Sequence, residues 1–123
     1  MSERLLLVAH GSRRPSWRAP LDALCARMQA RLGADAVRIA YMELCPPDVA
    51  TAVAEAVDDG VTRIRVLPLF MSSGGHVEHD IAPGLDELRA RHAGLTLELL
   101  PALGEHPLIL DALCTIADAG AHD

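Results

Sequence analysis

The run Leu5-Leu6-Leu7-Val8-Ala9, followed at once by His10-Gly11, decides how this chain is read. Five consecutive apolar residues are too few for a helix. They also lack the alternation of a strand with one wet face. They fit a strand buried on both faces, and such a strand needs a layer above it and another below. Working outward, the next apolar positions are Leu21, Leu24, Cys25, Met28 and Leu32, a single helical stripe that Gly33 ends. Pro20 belongs in or just before the first turn, because a proline breaks a helix interior; an earlier start near Pro15 with a kink is the alternative.

The alternation continues. Val37, Ile39 and Tyr41 recur with a period of two until Pro46-Pro47. Val49, Val53, Ala56 and Val57 form a second helical stripe, stopped at Gly60. Ile64 to Phe70 reads as the third strand, continuously apolar in its second half, and a Ser/Gly-rich loop, Ser72 to Gly75, follows. Ile81, Leu85 and Leu88 mark a third helix, Leu95 to Leu99 a strictly alternating fourth strand, and Ile109, Ala112, Leu113, Ile116 and Ala117 a last helix with Gly120 after it. Four β-α alternations predict an α/β domain with a parallel sheet and right-handed crossovers. The first and third strands are the more apolar and belong in the centre, which gives the order 2-1-3-4 of a flavodoxin-like, Rossmann-like sheet. Ligands of such sheets bind beyond the carboxyl ends of the strands, at the switch point between strands one and three.

Composition bounds the rest. A chain of 123 residues is read as one domain, 1–123. About two-thirds of its extended surface can be buried on folding. Trp17, Tyr41 and Phe70 are its only large aromatic residues, so the core is aliphatic. The net charge of −6 argues against nucleic-acid binding, and no basic run suggests an anionic membrane. Every fixed side-chain positive charge is arginine. Three cysteines without CxxC spacing fit a reducing compartment, and Cys25 and Cys114 are read as small core residues. The apolar run near the start is too short for a secretory signal, and nothing approaches a membrane span, so a cytoplasmic protein is expected.

The histidines fall where this scaffold places ligands. His10 follows strand one and His76 lies in the loop after strand three, the two strands that flank the switch point. Glu43 ends strand two, and His106 follows strand four. Two imidazoles with one carboxylate suit Co²⁺, Fe²⁺ or Ni²⁺ and leave positions open for a substrate. They do not make a closed four-ligand zinc site. His79 forms a weak HxxH pair with His76 and is read as peripheral; His92 is read as a capping or packed residue, and His122 as part of a frayed end. Ser72-Ser73-Gly74-Gly75 either forms a nest of backbone N–H groups for an anion or is a plain turn. Cys45 near Glu43 is weak evidence for a soft ligand. The absence of GxGxxG after strand one argues against a dinucleotide, and the lack of an Asp ending strand three against a phosphoacceptor domain.

Several segments together carry a resemblance. Leu7-Val8-Ala9-His10-Gly11-Ser12-Arg13 resembles the opening of the sirohydrochlorin chelatases. Pro68-Leu69-Phe70-Met71, Gly74-Gly75-His76-Val77 and Asp80-Ile81 are similar to that family's second signature. Tyr41-Met42-Glu43 before Pro46, and Gly104-Glu105-His106-Pro107, match its strand-two exit and late loop. One departure is Ala82, where the pattern often has proline; here Pro83 comes one residue later.

The resemblance covers roughly residues 4 to 118 and points to the short, one-domain form, similar to the small cobaltochelatases of cobalamin synthesis. It implies a lyase-type metal chelatase that inserts a divalent ion, Co²⁺ first, into sirohydrochlorin without an organic cofactor. His10 and His76 would bind the ion and Glu43 would assist as a nearby carboxylate. Arg13, Arg14 and residues Ser72, Ser73, Gly74 and Gly75 would hold the eight carboxylates of the macrocycle. Ferrochelatase or nickelochelatase action on the same macrocycle, and a non-enzymatic metal or tetrapyrrole carrier, are the alternatives. Longer chelatases of this type have two such lobes in one chain. The short form is therefore expected to be a C₂ homodimer with a shared cleft.

Overall fold

β1 (Glu3–Ala9) lies at the centre of the sheet, paired in parallel with β2 (Val37–Tyr41) on one side and β3 (Arg63–Pro68) on the other. β4 (Thr96–Leu99) pairs with β3, so the order is β2-β1-β3-β4. The computed structural model describes residues 3–121; His122 and the two N-terminal residues lie outside them. The expected order and the central place of the two apolar strands both hold. In register, Leu7 sits between Ile39 and Leu67.

The central strand is covered on both faces, as its unbroken apolar run requires. On one face Leu6, Val8, Ile64, Val66 and Leu97 meet α2 (Val49–Asp58) and α3 (Ala82–Arg91) through Ala52, Val53, Ala56, Leu85 and Leu88. On the other, Leu5, Leu7 and Val37 meet Cys25 of α1 (Pro15–Leu32). Each fully buried Leu or Val contributes about 1.5–3 kcal/mol of transfer free energy. Asp48 starts α2: its carboxylate accepts from the Thr51 backbone N–H at 2.8 Å, and hydrogen bonds from the Thr51 side chain first, then from that N–H, hold its pKa below the usual value.

Four details differ from the sequence reading. α1 takes the early start at Pro15 and carries Pro20 inside it. Pro20 is exposed and sits one turn into the helix, so its missing N–H leaves only the Ser16 carbonyl without its helical partner, and the helix continues past it. β3 ends at Pro68; Leu69 makes one more bond, from its N–H to the Val8 carbonyl at 2.8 Å, before the chain leaves the sheet. A single wide π turn, Val77–Ile81, precedes α3 and is closed by the Ala82 N–H on the Val77 carbonyl. The shifted proline accounts for it: Pro83 has no N–H for the His79 carbonyl, and widening the turn by one residue relieves its ring. Finally, α4 (Pro107–Ala121) runs through Gly120 instead of stopping before it, and Cys114, expected in the core, is exposed. Among the described residues no helix is long and apolar enough to cross a membrane.

Tyr41 gives the sheet an alkaline limit. It is buried, and its hydroxyl donates to Asp22 Oδ1 at 3.3 Å. Burial first, then the Asp22 charge, push its pKa up from 10.0 to about 12. The folded chain therefore keeps this proton at a pH where the unfolded chain has lost it. Stability contributed below pH 10 is lost as the pH rises toward 12, by up to about 2 kcal/mol. The buried Cys25 thiol, also raised, adds to the same slope from lower pH. Because the chain has no lysine and one tyrosine, urea titrations at pH 8 and 11, compared between wild type and Tyr41→Phe, separate the tyrosine's share from that of Cys25. Tyr41→Phe should remove most of the difference, and an unchanged slope would refute the assignment.

Candidate functional site

The site stands on the carboxyl edge of the sheet, and close backbone packing assembles it. Gly11 follows His10, and a Cβ there would lie 1.7 Å from the Glu43 carbonyl oxygen and 3.3 Å from Cys45 Sγ. Only glycine lets the exits of β1 and β2 approach this closely. The Met42 N–H donates to the carbonyls of Ala9 and His10, at 2.9 and 3.2 Å, and the Tyr41 N–H closes the β2 exit loop on the Pro47 carbonyl at 2.8 Å. Leu44 within that loop is left-handed, with φ of 70°. The contact places Glu43 Oε1 3.4 Å from His10 Nδ1.

The β3 exit is braced in the same way by the late loop. A Cβ on Gly104 would fall 2.3 Å from the Met71 carbonyl oxygen, and the Gly104 N–H donates to the Phe70 carbonyl at 2.9 Å. Ser73 ties the two loops further. Its hydroxyl donates to the Glu105 carboxylate and accepts from the Ala102 N–H at 3.1 Å. The bond from Ser73 holds the Glu105 carboxyl below its usual range. Phe70 then turns toward the switch point.

There the rings converge. The His10 and His76 ring centroids are 4.7 Å apart and nearly perpendicular. Phe70 lies 4.7 Å from His10 and stacks near His76 at 6.1 Å. His76 Nδ1 is 3.1 Å from Asp80 Oδ2, one turn along the chain. Each imidazole thus has a carboxylate at Nδ1, an arrangement that favours the tautomer with a lone pair on Nε2. Both side chains are partly exposed. No compact cluster of three His, Cys, Asp or Glu side chains able to cage a metal exists among the described residues. The donors are a pair of imidazoles with their own carboxylate partners, not a closed cage.

His10, His76 and Glu43 are therefore brought together where the strand order placed them. Asp80 and Phe70 belong to the same group and were not singled out from sequence. The signal for Asp80 was its i, i+4 spacing from His76. His106 takes another role. Its Nδ1 accepts from the Leu108 N–H at 3.2 Å and its carbonyl accepts from Ile109 and Leu110, so it caps α4. His79 is exposed on the π turn, and His92 ends α3 as expected. Arg13 and Arg14 are exposed beyond the β1 exit and form no ion pair with any described residue. In the Ser/Gly loop the Gly74 N–H is engaged by Ser72 Oγ at 3.1 Å, and Gly75 takes φ of 67°. A depression of about 860 Å³ beside Glu43 is lined by residues 41–48, and a cavity of about 310 Å³ between α2 and α3 meets the site at Asp80.

Several known proteins are similar to this chain in sequence and fold. A sirohydrochlorin cobaltochelatase of Methanocaldococcus jannaschii is 36% identical over 90 residues, covering 73% of this chain and 63% of that protein. The chloroplastic sirohydrochlorin ferrochelatase of Arabidopsis thaliana is 29% identical over 112 residues, covering 91% of this chain and 50% of that one. The chain spans about half to two-thirds of the length of the curated relatives it matches first. Among solved structures, a protein designated CbiX from Marinobacter aquaeolei VT8 superposes with a TM-score of 0.83 at 29% identity, covering 98% of both chains. The sirohydrochlorin chelatase SirB of Bacillus subtilis subspecies spizizenii, solved in complex with cobalt, gives 0.72 at 27% identity over 80% of this chain and 42% of that one. The family model for CbiX matches residues 4–118, and this chain belongs to the CbiX family.

Proposed function

We propose that this chain is a sirohydrochlorin chelatase that inserts a divalent metal ion, Co²⁺ first, into the macrocycle. The observation that carries the reading is the pair of facing imidazoles, each backed at Nδ1 by a carboxylate. Insertion exchanges two pyrrole N–H protons for one metal ion. His10 and His76 would hold the ion through Nε2, weakly because the ligand set is incomplete. As the ion passes to the pyrrole nitrogens, the freed imidazoles accept the two protons. Glu43 and Asp80 steady the imidazolium ions formed. Arg13, Arg14 and residues Ser72–Gly75 would meet the peripheral carboxylates. No organic cofactor enters this scheme.

Relatives named as cobaltochelatases support Co²⁺ as the ion. With equimolar Co²⁺, Fe²⁺ and Ni²⁺ supplied anaerobically, initial rates should be highest for Co²⁺. A higher rate for Fe²⁺ or Ni²⁺ would replace the metal, and binding of the macrocycle without faster insertion would make the chain a carrier. Glu43→Gln, which keeps the shape and removes the charge, should slow insertion about 10-fold. An unchanged rate would take Glu43 out of the mechanism.

The two histidines stand on an open edge, whereas a macrocycle needs two walls. We infer that a second copy supplies the other wall in a C₂ homodimer.

A further inference from the structure

The loop that carries His76 has the composition of a flexible linker. Ser72-Ser73-Gly74-Gly75 has no apolar side chain to bury, and runs of Ser and Gly move freely unless tied down. Yet the His76 ring centroid is held 4.7 Å from that of His10. Leu69 fixes the near end of the segment, through its N–H on the Val8 carbonyl at 2.8 Å, and Val77 fixes the far end by burial. What holds the residues between them comes from another part of the chain.

β4 lies beside β3, so the chain leaving β4 passes the chain leaving β3. The passing segment is stiff. Ala102 is wholly buried, and Leu103–Glu105 form a 3₁₀ turn in which the Glu105 N–H donates to the Ala102 carbonyl at 2.9 Å. Gly104 of this turn lies against the Met71 backbone and donates to the Phe70 carbonyl. Further along, the Ser73 hydroxyl accepts from the Ala102 N–H at 3.1 Å and donates to the Glu105 carboxylate. Bonds from the Ser73 hydroxyl first, and from the Ser73 backbone next, hold the Glu105 carboxyl below its usual range, so it remains an ionised acceptor at neutral pH. Glu105 pairs with neither imidazole: the carboxylates on those rings are Glu43 and Asp80. The Ser73 hydroxyl is likewise engaged within the protein, and the other residues of its loop are left to face a macrocycle.

We propose that the side chains of Ser73 and Glu105 form a latch that positions His76, acting on the reaction through that imidazole and not on the ion or the macrocycle. The proposal rests on the reading of His76 as a ligand of the inserted ion, and it gives the Gly104-Glu105 segment a task. Opening the latch leaves both ends of the loop fixed, so the chain keeps its fold while His76 departs from its place beside His10 and Phe70.

Glu105 is exposed, so Glu105→Ala removes the acceptor without touching the core. Two measurements read the latch without the macrocycle. In NMR spectra of the metal-free chain, the His76 ring protons lie beside the Phe70 ring and should move toward the positions of an unstructured histidine, while those of His92 stay. Co²⁺ titrated into the same chain should bind about 10-fold more weakly. Glu105→Gln still offers an oxygen to the Ser73 hydroxyl and should restore most of both. Ser73→Ala should do at least as much as Glu105→Ala, since it also frees the Ala102 N–H, and combining the two should cost little more. In the insertion assay the loss should appear in kcat and in the KM for Co²⁺. Unmoved His76 signals and unchanged Co²⁺ affinity in both alanine variants would overturn the latch. So would a rise confined to the KM for the macrocycle, which would make Ser73 a direct substrate contact, or a Glu105→Gln chain as impaired as Glu105→Ala. A wild-type chain that inserts no metal would remove the chelatase reading, and the NMR comparison would still decide the latch.

Discussion

Replacing His10 by alanine is expected to lower the rate of Co²⁺ insertion by about 10²–10⁴-fold, the range lost with a positioned acid–base group. His10 is the centre of the cluster: its ring meets both His76 and Phe70, and its Nδ1 meets Glu43. Its side chain is partly exposed and lies outside the two aliphatic clusters, so the fold should survive. Thermal unfolding should change little while the rate collapses, and this separates a role in chemistry from a role in packing. Initial rates followed by macrocycle absorbance, beside a melting curve, check both. A His10→Ala chain inserting Co²⁺ at the wild-type rate would remove His10 from the mechanism. His76→Ala should behave similarly, and the double variant should lose little beyond either single one, since the imidazoles act on the same ion.

The second large effect is expected at Gly11, a residue with no functional group. A methyl group there would sit 1.7 Å from a backbone oxygen, and no side-chain rotation relieves that overlap. The β2 exit must move, and with it Glu43. Gly11→Ala should cost about 3 kcal/mol, as an unrelieved overlap in a packed region does, and lower the Tm by about 10 °C. Insertion should slow as well, because the carboxylate leaves His10. Gly84→Ala is the control. Gly84 lies in α3 with open space where its Cβ would fall, so alanine should be neutral or slightly stabilising there. If the two variants melt alike, the close approach of the β1 and β2 exits is refuted.

These expectations differ in how far the sequence foretold them. His10, His76 and Glu43 were legible because each sits at a strand end, and the strand order places those ends on one edge. Strand order was legible because apolar content reports burial: Leu6, Leu7 and Val8 are nearly inaccessible, whereas β2 and β4 alternate. Asp80 and Phe70 were harder to see. Their contacts depend on a π turn and on a chain that leaves the sheet two residues early, and neither feature has a periodicity. His106 lies among site-like residues in sequence, yet its imidazole is spent on a helix N-terminus.

By itself, then, the sequence determined the α/β layering, the order of the strands and the edge that carries the histidines. All three follow from local hydrophobic pattern and chain direction, and those are written one residue at a time. Only the tertiary structure decided which carboxylate meets which imidazole, why Gly11 and Gly104 have no side chain, and that α4 stands off its own sheet. Those depend on separate loops meeting within a few ångströms. The apolar stripe of α4 illustrates the limit. Its pattern demands burial, as the sequence says, but a pattern cannot say against what, and within the single chain that demand is unmet.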